Sequence, residues 1–290
     1  MGKTARISGA TKLIGLIGSP VQHSGSPAIH NAVFEKLDLD YAYIAFDVDA
    51  ARLEDTVRGM ASMGFLGYNV TTPCKTFILP YLDELSEAAE IMGAVNTVVI
   101  QNGRSLGDNA DGAAFMRNLV LHGVNILNKK ITVLGAGGAG AAVITQAALD
   151  GVAQIDVFNR NDEFYSKADE LIGRVREHAP ACEIALYDLD DTSRLKQSLA
   201  ESVLVVNATS VGSPEIPGCL VEPSMLHDDL IVADVVYVPR ETELITLARE
   251  RGNKVIDGVG MFVQQAAIGE RLWIGREMPL DFVMEELFSR

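Results

Sequence analysis

The ten residues Ile131–Gly140, ITVLGAGGAG, constrain this chain more than any other stretch. A β-branched run leads straight into a glycine turn, and an alanine-rich segment follows: strand, tight turn, helix. Gly135, Gly137 and Gly140 keep the G-x-G-x-x-G spacing. One glycine makes the turn, one lets backbone approach a pyrophosphate, and one allows close packing of helix on strand. The unpaired N–H groups of the helix start then face the phosphates. The bare pattern also occurs as a structural glycine turn, but the strand before and the helix after favour dinucleotide binding. Because the motif sits mid-chain, everything upstream forms a separate unit, which in an enzyme would carry the substrate.

With 290 residues, 48% of them hydrophobic, the chain can bury one large core or two ordinary ones, and domain-length statistics favour two. No apolar run approaches the length of a membrane span, and residues 1–12 lack the hydrophobic core of a signal peptide, so a soluble, cytoplasmic protein is expected. Cys74, Cys182 and Cys219 form no C-x-x-C and would leave one unpaired, which suggests neither a disulfide framework nor a metal site. The formal net charge of −15 argues against nucleic acid, whose phosphates need a basic face. An anionic substrate or cofactor must therefore be held by local cations and backbone donors against a repulsive field.

Two βα series alternate short apolar strands with helical stretches, the pattern of parallel sheets covered by helices. Upstream, strands are expected at 13–17, 41–48, 67–70 and 96–100, with helices at 27–37, 50–63 and 85–92. Downstream, six strands at 131–134, 155–158, 183–186, 203–206, 230–234 and 254–256 read as a doubly wound sheet. Helices at 138–149, 163–177, 193–200 and 241–250 fit between them. Two last helices, 260–273 and 280–287, have no strand to follow and are expected to return to the first domain. This gives a substrate-binding and catalytic domain of residues 1–109 plus 260–290, and a nucleotide-binding domain of residues 110–259. The polar stretch Gly107–Asp111 is the expected place for a cleft to open.

Polar clusters fall where strands end, which is where open α/β sheets bind ligands. Ser19 to Pro27 follows the first strand with two hydroxyls; Ser26 before Pro27 also suits a helix N-cap. Gly67 to Lys75 ends a strand with an amide, hydroxyls and one lysine. Amides and hydroxyls suit a polyol, and a lysine suits acid–base work, although a lysine after a proline is commonly a solvated charge. Cys74 reads as a packing residue, since no histidine nearby would activate it. Gly93-Ala94-Val95-Asn96-Thr97 and Gly107-Asp108-Asn109-Ala110-Asp111-Gly112 add an asparagine on a strand and a carboxylate at a helix start, where Asp111 could also act as a cap. On the first carboxy-terminal helix, Gln264 is expected on the helix surface.

Read in order, HSGSP, GYNVTTPCK, GAVNT, GDNADG, VLGAGGAG, FNRNDEF, NATSVG, DVVYVPRET and GVGMFVQQAA carry a resemblance that spans residues 13–287. The chain resembles the shikimate dehydrogenase family, and within it the quinate/shikimate 5-dehydrogenase branch. The resemblance implies an α/β enzyme of two domains, an amino-terminal substrate domain and a Rossmann nucleotide-binding domain. It also implies hydride exchange between an alicyclic hydroxy-carboxylate and a nicotinamide, in the pathway to chorismate and the aromatic amino acids. By position, Lys75 and Asp111 match the catalytic pair. Ser24, Ser26, Asn69, Thr71, Asn96 and Gln265 match substrate-binding residues, and Tyr237 a residue near the substrate carboxylate. Gly135, Ala136, Gly137, Gly138, Ala139, Asn159, Arg160, Asp162, Phe164, Thr209, Val235 and Gly258 match cofactor-binding positions. No metal is implied, and a homodimer is an expectation at family level alone. The physics agrees: hydride leaves a carbinol carbon as its hydroxyl proton goes to a base, and a lysine held by an aspartate can cycle that proton. Which of the two is the formal base stays open, because such a pair can titrate as a unit.

Two positions depart from the family. Gly25 replaces the usual leucine and affects packing; Ala110 replaces the usual threonine and removes a hydroxyl near the substrate. For the cofactor, Arg160 suits a 2′-phosphate, but Asn161, Asp162 and Glu163 follow it, and two carboxylates repel one. NAD is therefore favoured, with NADP accessible through Arg160. Competing readings are a non-catalytic sensor of shikimate-like ligands on the same fold, against which Lys75 and Asp111 both stand, and a dehydrogenase of another small hydroxy acid. Quinate and shikimate differ by one ring hydroxyl and are not separated at this level.

Overall fold

In the computed structural model, which describes residues 7–288, the chain divides into two units, residues 1–110 with 265–290 and residues 111–264. Of the amino-terminal stretch read as lacking a leader, residues 1–6 lie outside the described residues. No helix among the described residues is long and apolar enough to cross a membrane.

The first unit carries β1 (Lys12–Gly18), α1 (Ser26–Lys36), β2 (Tyr41–Asp47), α2 (Leu53–Ser62), β3 (Gly67–Val70), α3 (Cys74–Phe77), β4 (Glu84–Leu85), α4 (Glu87–Met92), β5 (Thr97–Gln101) and β6 (Arg104–Asp108). Its six strands are ordered β2-β1-β3-β5-β6-β4. The parallel sheet expected here is in fact mixed, since β5 pairs antiparallel with both β3 and β6. Between β5 and β6 the chain reverses at a tight turn in which Asn102 and Gly103 both take positive φ, 53° and 76°. Asn-Gly between two runs favours this two-residue hairpin. The helix expected at 50–63 begins as a single 3₁₀ turn, Ala50–Arg52, because the Asp49 carboxylate accepts from the N–H groups of Ala51 and Arg52.

The second unit carries α5 (Ala110–Leu121), whose first residue closes the first unit, then β7 (Lys130–Leu134), α6 (Gly138–Leu149), β8 (Gln154–Asn159), α7 (Tyr165–His178), β9 (Glu183–Asp188), α8 (Thr192–Glu201), β10 (Leu204–Asn207), β11 (Ile231–Asp234), α9 (Glu243–Glu250) and β12 (Val255–Ile256). Its strands are ordered β12-β11-β10-β7-β8-β9, all parallel. That is the doubly wound order, with the switch point between β7 and β10. Buried on both faces, these strands are near-continuous apolar runs, which is why their positions were readable. Beneath β8 a polar cluster replaces apolar packing: buried Asp156 accepts from Ser198 at 2.7 Å and lies 2.9 Å from the Lys130 ammonium.

α10 (Gly258–Ile274) and α11 (Leu280–Phe288) end the chain, and their residues from Gln265 onward belong to the first unit. There the Trp273 indole N–H donates to the Val98 carbonyl at 2.9 Å. A Cβ at Gly67 would overlap that same indole and carbonyl, so the close approach needs glycine. The buried Glu270 carboxylate lies 2.9 Å from the His30 ring nitrogen Nδ1.

Candidate functional site

In the first unit the strand directions gather the polar clusters onto one edge of the sheet. β1, β3 and β6 end there, and antiparallel β5 begins there: Asn69 on β3 faces Thr97 on β5, and Thr97 faces Asp108 on β6. Ser24, Ser26, Asn69, Thr71, Lys75 and Asn96 therefore come from three strand ends at that edge, those of β1, β3 and β5. Ser24 and Ser26 flank Gly25, and here one expectation is corrected. Gly25 is the N-cap of α1, while Ser26 is already helical and makes no capping bond. The Ser24 hydroxyl oxygen instead accepts from the Ser26 N–H at 3.3 Å. The Ser26 hydroxyl is thereby left for tertiary bonding.

Asn69 and Asn96 are buried, and their amides are interlocked. Asn69 donates to the Asn96 carbonyl at 3.1 Å, Thr97 donates to Asn96 Oδ1 at 2.9 Å, and the Ala110 N–H donates to the same Oδ1 at 2.9 Å. The backbone of Ala110 thus serves the site even though its side chain lacks the family's hydroxyl. Asp108 ties the neighbouring loop down, accepting from the Asn109 N–H at 2.8 Å. Lys75 is half-buried on the short α3, and its carbonyl accepts from the Val95 N–H at 2.8 Å, which joins the lysine turn to the asparagine strand. Cys74 is fully buried with its thiol donating to the Val48 carbonyl; burial, then the charge of Asp49, raises its pKa, as suits a packing residue.

The second unit places Asp111 in the first turn of α5 and the glycine turn at the carboxyl end of β7. Gly135 takes φ +93°, a conformation that side chains rarely adopt, and a Cβ there would press on Thr209. A Cβ at Gly140 would overlap the Gly135 carbonyl, so this third glycine is what lets α6 sit on the turn. Gly137 and Gly138 differ: a Cβ at either would meet nothing within 4 Å. Neither positive φ nor internal packing demands glycine there, and the bare backbone faces open space at the start of α6. Asn159, at the end of β8, accepts from the Ala136 N–H at 3.1 Å, and the exposed Arg160 pairs with Asp162 at 3.6 Å. Asp162 also accepts from the Phe164 N–H at 2.9 Å, so the residues after β8 form one structured turn. Val235 and Gly258 meet directly, since a Cβ on Gly258 would lie 2.7 Å from the Val235 carbonyl oxygen.

Tyr237 is exposed and its ring stacks on Phe262, with centroids 4.8 Å apart and planes 5° from parallel. Gln265, on α10, is half-buried, whereas Gln264, expected on the helix surface, is 3% exposed. The face of α10 that packs inward therefore includes Gln264. Tyr43 escaped the motif reading, and Asp234, the first residue of DVVYVPRET, was given no role in it. Tyr43 on β2 donates to Asn69 Oδ1 at 2.7 Å, a pairing with no local sequence signal. Asp234, at the end of β11, accepts from Asn207, Thr242 and the Val236 N–H at 2.7–2.9 Å, and desolvation raises its pKa to about 6. Its position at a strand end of a doubly wound sheet was the available clue.

Comparison with known proteins is consistent over the whole chain. Residues 16–98 match the shikimate dehydrogenase substrate binding domain, and residues 258–288 match the shikimate 5′-dehydrogenase C-terminal domain. The shikimate dehydrogenase (NADP(+)) of Listeria monocytogenes is 46% identical over 287 residues, covering 98% of each chain. The crystal structure of a shikimate 5-dehydrogenase from Listeria monocytogenes in complex with shikimate and NAD superposes with a TM-score of 0.96 at 45% identity, over 99% of each chain. Quinate dehydrogenase from Corynebacterium glutamicum in complex with NAD gives 0.86 at 33% identity, over 95% of this chain and 98% of that one. With near-half identity maintained from end to end, this chain belongs to the shikimate dehydrogenase family.

Proposed function

We propose that the chain interconverts shikimate and 3-dehydroshikimate by hydride exchange with a nicotinamide dinucleotide, in the pathway to chorismate and the aromatic amino acids. The observation that carries this reading is the convergence of Ser24, Ser26, Asn69, Thr71, Lys75 and Asn96 on one edge of the mixed sheet. Hydroxyls and amides there suit the oxygens of a polyol acid without adding charge, and one lysine supplies the local cation. We assign substrate binding to the first unit, with Gln265 as a further contact, and, by their match to the family's positions, proton exchange at the carbinol oxygen to Lys75 and Asp111 and a substrate role to Tyr237.

The second unit is assigned the dinucleotide. Its fit rests on Gly137 and Gly138, bare backbone that nothing in the protein fills, at the helix start where N–H groups favour phosphate. Ala136, Ala139, Thr209, Val235 and Gly258 are assigned to the same cofactor site. When bound, the nicotinamide accepts or delivers the hydride. We further propose that NAD is favoured over NADP. The Arg160 guanidinium is already paired with Asp162, and Glu163 leaves Asn159 to Phe164 net negative, which opposes a 2′-phosphate. Quinate is the proposed second substrate, supported by the FNRNDEF run and by the likeness to quinate dehydrogenase.

The test is a matrix of initial rates at saturating substrate, shikimate and quinate each against NAD and NADP. Turnover of shikimate with either cofactor supports the activity, and the fastest cell decides branch and cofactor. Four flat cells, with shikimate still binding by calorimetry, would leave a ligand sensor as the better reading.

A further inference from the structure

The loops after β10 and β11, which carry Thr209 and Val235, are joined at their roots by two buried side chains, Asn207 and Asp234. We infer that Asp234 is a positioning residue for the dinucleotide: through Asn207 it fixes Thr209 against the glycine turn, and through the Val236 N–H and Thr242 it fixes the loop that carries Val235. This rests on the cofactor-site reading above.

Asp234 is 3% exposed, and its Oδ1 accepts from Asn207 Nδ2 and from the Val236 N–H, both at 2.9 Å. Its Oδ2 accepts the Thr242 hydroxyl at 2.7 Å, and Thr242, the N-cap of α9, in turn accepts from the Ile245 N–H. An ionised carboxylate can only accept, so it draws the Asn207 amide nitrogen toward itself and fixes which way that amide points. The second hydrogen of Nδ2 goes to the Val211 carbonyl at 2.9 Å. Asn207 Oδ1 then accepts both the N–H and the hydroxyl of Thr209, at 3.2 and 2.7 Å. The flipped amide would set Oδ1 against the carboxylate and a carbonyl, and Nδ2 against an N–H. All the hydrogen-bonding positions of Asn207 are filled inside the protein, so it holds the loop and not the ligand.

The chain of bonds ends at the phosphate-facing turn. Thr209 Oγ1, its proton given to Asn207, accepts from the Val211 N–H at 3.1 Å, which closes the loop on itself. The Thr209 methyl is thereby set against the turn, where a Cβ on Gly135 would lie 2.7 Å from Thr209 Cγ2. Backbone bonds keep the strand ends in line: the Ala208 N–H donates to the Leu134 carbonyl at 2.8 Å, and the Val235 N–H to the Asn207 carbonyl at 3.0 Å. These bonds hold the strands, but only the carboxylate fixes the Asn207 amide and the Val236 N–H together. Without it Asn207 is free to rotate, and the loops of Thr209 and Val235 lose their common anchor.

Asp234→Ala and Asp234→Asn separate positioning from packing, assayed with shikimate and whichever of NAD and NADP the wild type turns over faster. Asp234→Ala should raise the nicotinamide KM about tenfold, the cost of buried donors left unpaired, and keep the shikimate KM within about twofold. Asp234→Asn should bring the nicotinamide KM back to within about threefold of wild type, because its amide oxygen still accepts from Asn207 and Val236 while its nitrogen turns to the Thr242 hydroxyl oxygen. Ser198→Ala, which breaks the buried bond to Asp156 in the same unit, controls for lost stability: its urea midpoint should fall with the nicotinamide KM unchanged. An unchanged nicotinamide KM in Asp234→Ala, an Asp234→Asn no better than the alanine variant, or an equal rise in Ser198→Ala would overturn the inference. Should Asp234→Ala not fold by circular dichroism, Thr209→Val serves instead. It keeps the methyl against Gly135, removes the hydroxyl that Asn207 holds, and should raise the nicotinamide KM about three- to tenfold; an unchanged value would overturn the inference. If the wild type binds neither NAD nor NADP by calorimetry, the cofactor reading itself fails and the inference falls with it.

Discussion

The Asn159 side-chain oxygen accepts from the Ala136 backbone N–H at 3.1 Å, so the end of β8 holds the glycine turn of β7 in place. The same amide donates to the Arg160 carbonyl at 3.1 Å, which makes one residue the tie between the phosphate-facing turn and the turn expected to read the ribose. Asn159→Ala should raise the nicotinamide KM about three- to tenfold, the scale of one hydrogen bond, and leave the shikimate KM unchanged. Steady-state kinetics with each substrate varied in turn checks this.

The glycines of the turn should separate by assay. Gly140→Ala forces a methyl into the Gly135 carbonyl and should cost about 2–4 kcal/mol in urea unfolding. Gly137→Ala meets open space, so its stability should stay within about 1 kcal/mol of wild type while the nicotinamide KM rises tenfold or more. Equal stability losses in the two variants would contradict the assignment of Gly137 to a ligand.

Lys75→Ala should lower kcat by about 10²–10⁴-fold with a modest change in shikimate binding, as removal of a proton-transfer group does. Near-normal turnover would take Lys75 out of the chemistry. Calorimetric titration with shikimate separates lost chemistry from lost binding.

Asp234 carries a pH signature. Its folded pKa is raised from 3.8 to about 6, chiefly by desolvation, so between those values the native state keeps a proton that the unfolded chain has lost. Stability contributed by the protonated form is present below pH 4 and is lost as pH rises to about 6, on the order of 2–3 kcal/mol. Asp234→Asn should remove that slope. Urea midpoints at pH 4.5 and 7.5, compared between the two proteins, would reveal it.

Cofactor choice should yield to the Arg160–Asp162 pair. Asp162→Ser frees the guanidinium and removes a repelling carboxylate, and should shift kcat/KM toward NADP by about tenfold relative to NAD. A ratio that stays put would mean that the ribose is read elsewhere.

Much of this architecture was legible because its physical causes are local. Parallel strands such as Ile131 to Leu134 and Leu204 to Asn207 are buried throughout and mostly apolar, since both faces are covered. The mixed sheet of the first unit was harder. β6, Arg104 to Asp108, has little apolar content, and its pairing comes from the hairpin rather than from its own composition. Asn102-Gly103 was the available signal. Ser26 as a cap was a sound local reading that lost to tertiary bonding: Gly25 took the cap position and Ser26 turned to Tyr43. Tyr43 itself was invisible, because its meaning arises only when β2 and β3 lie in one sheet with β1 between them.

The carboxy-terminal helix has a temporal consequence. Glu270 and Trp273 supply partners for His30 and the Val98 carbonyl, yet more than a hundred intervening residues leave the ribosome first. The first-made unit is thus completed last, after residues 111–264 have emerged, and a nascent chain stopped at Gln264 would hold an unanswered histidine and carbonyl in its core.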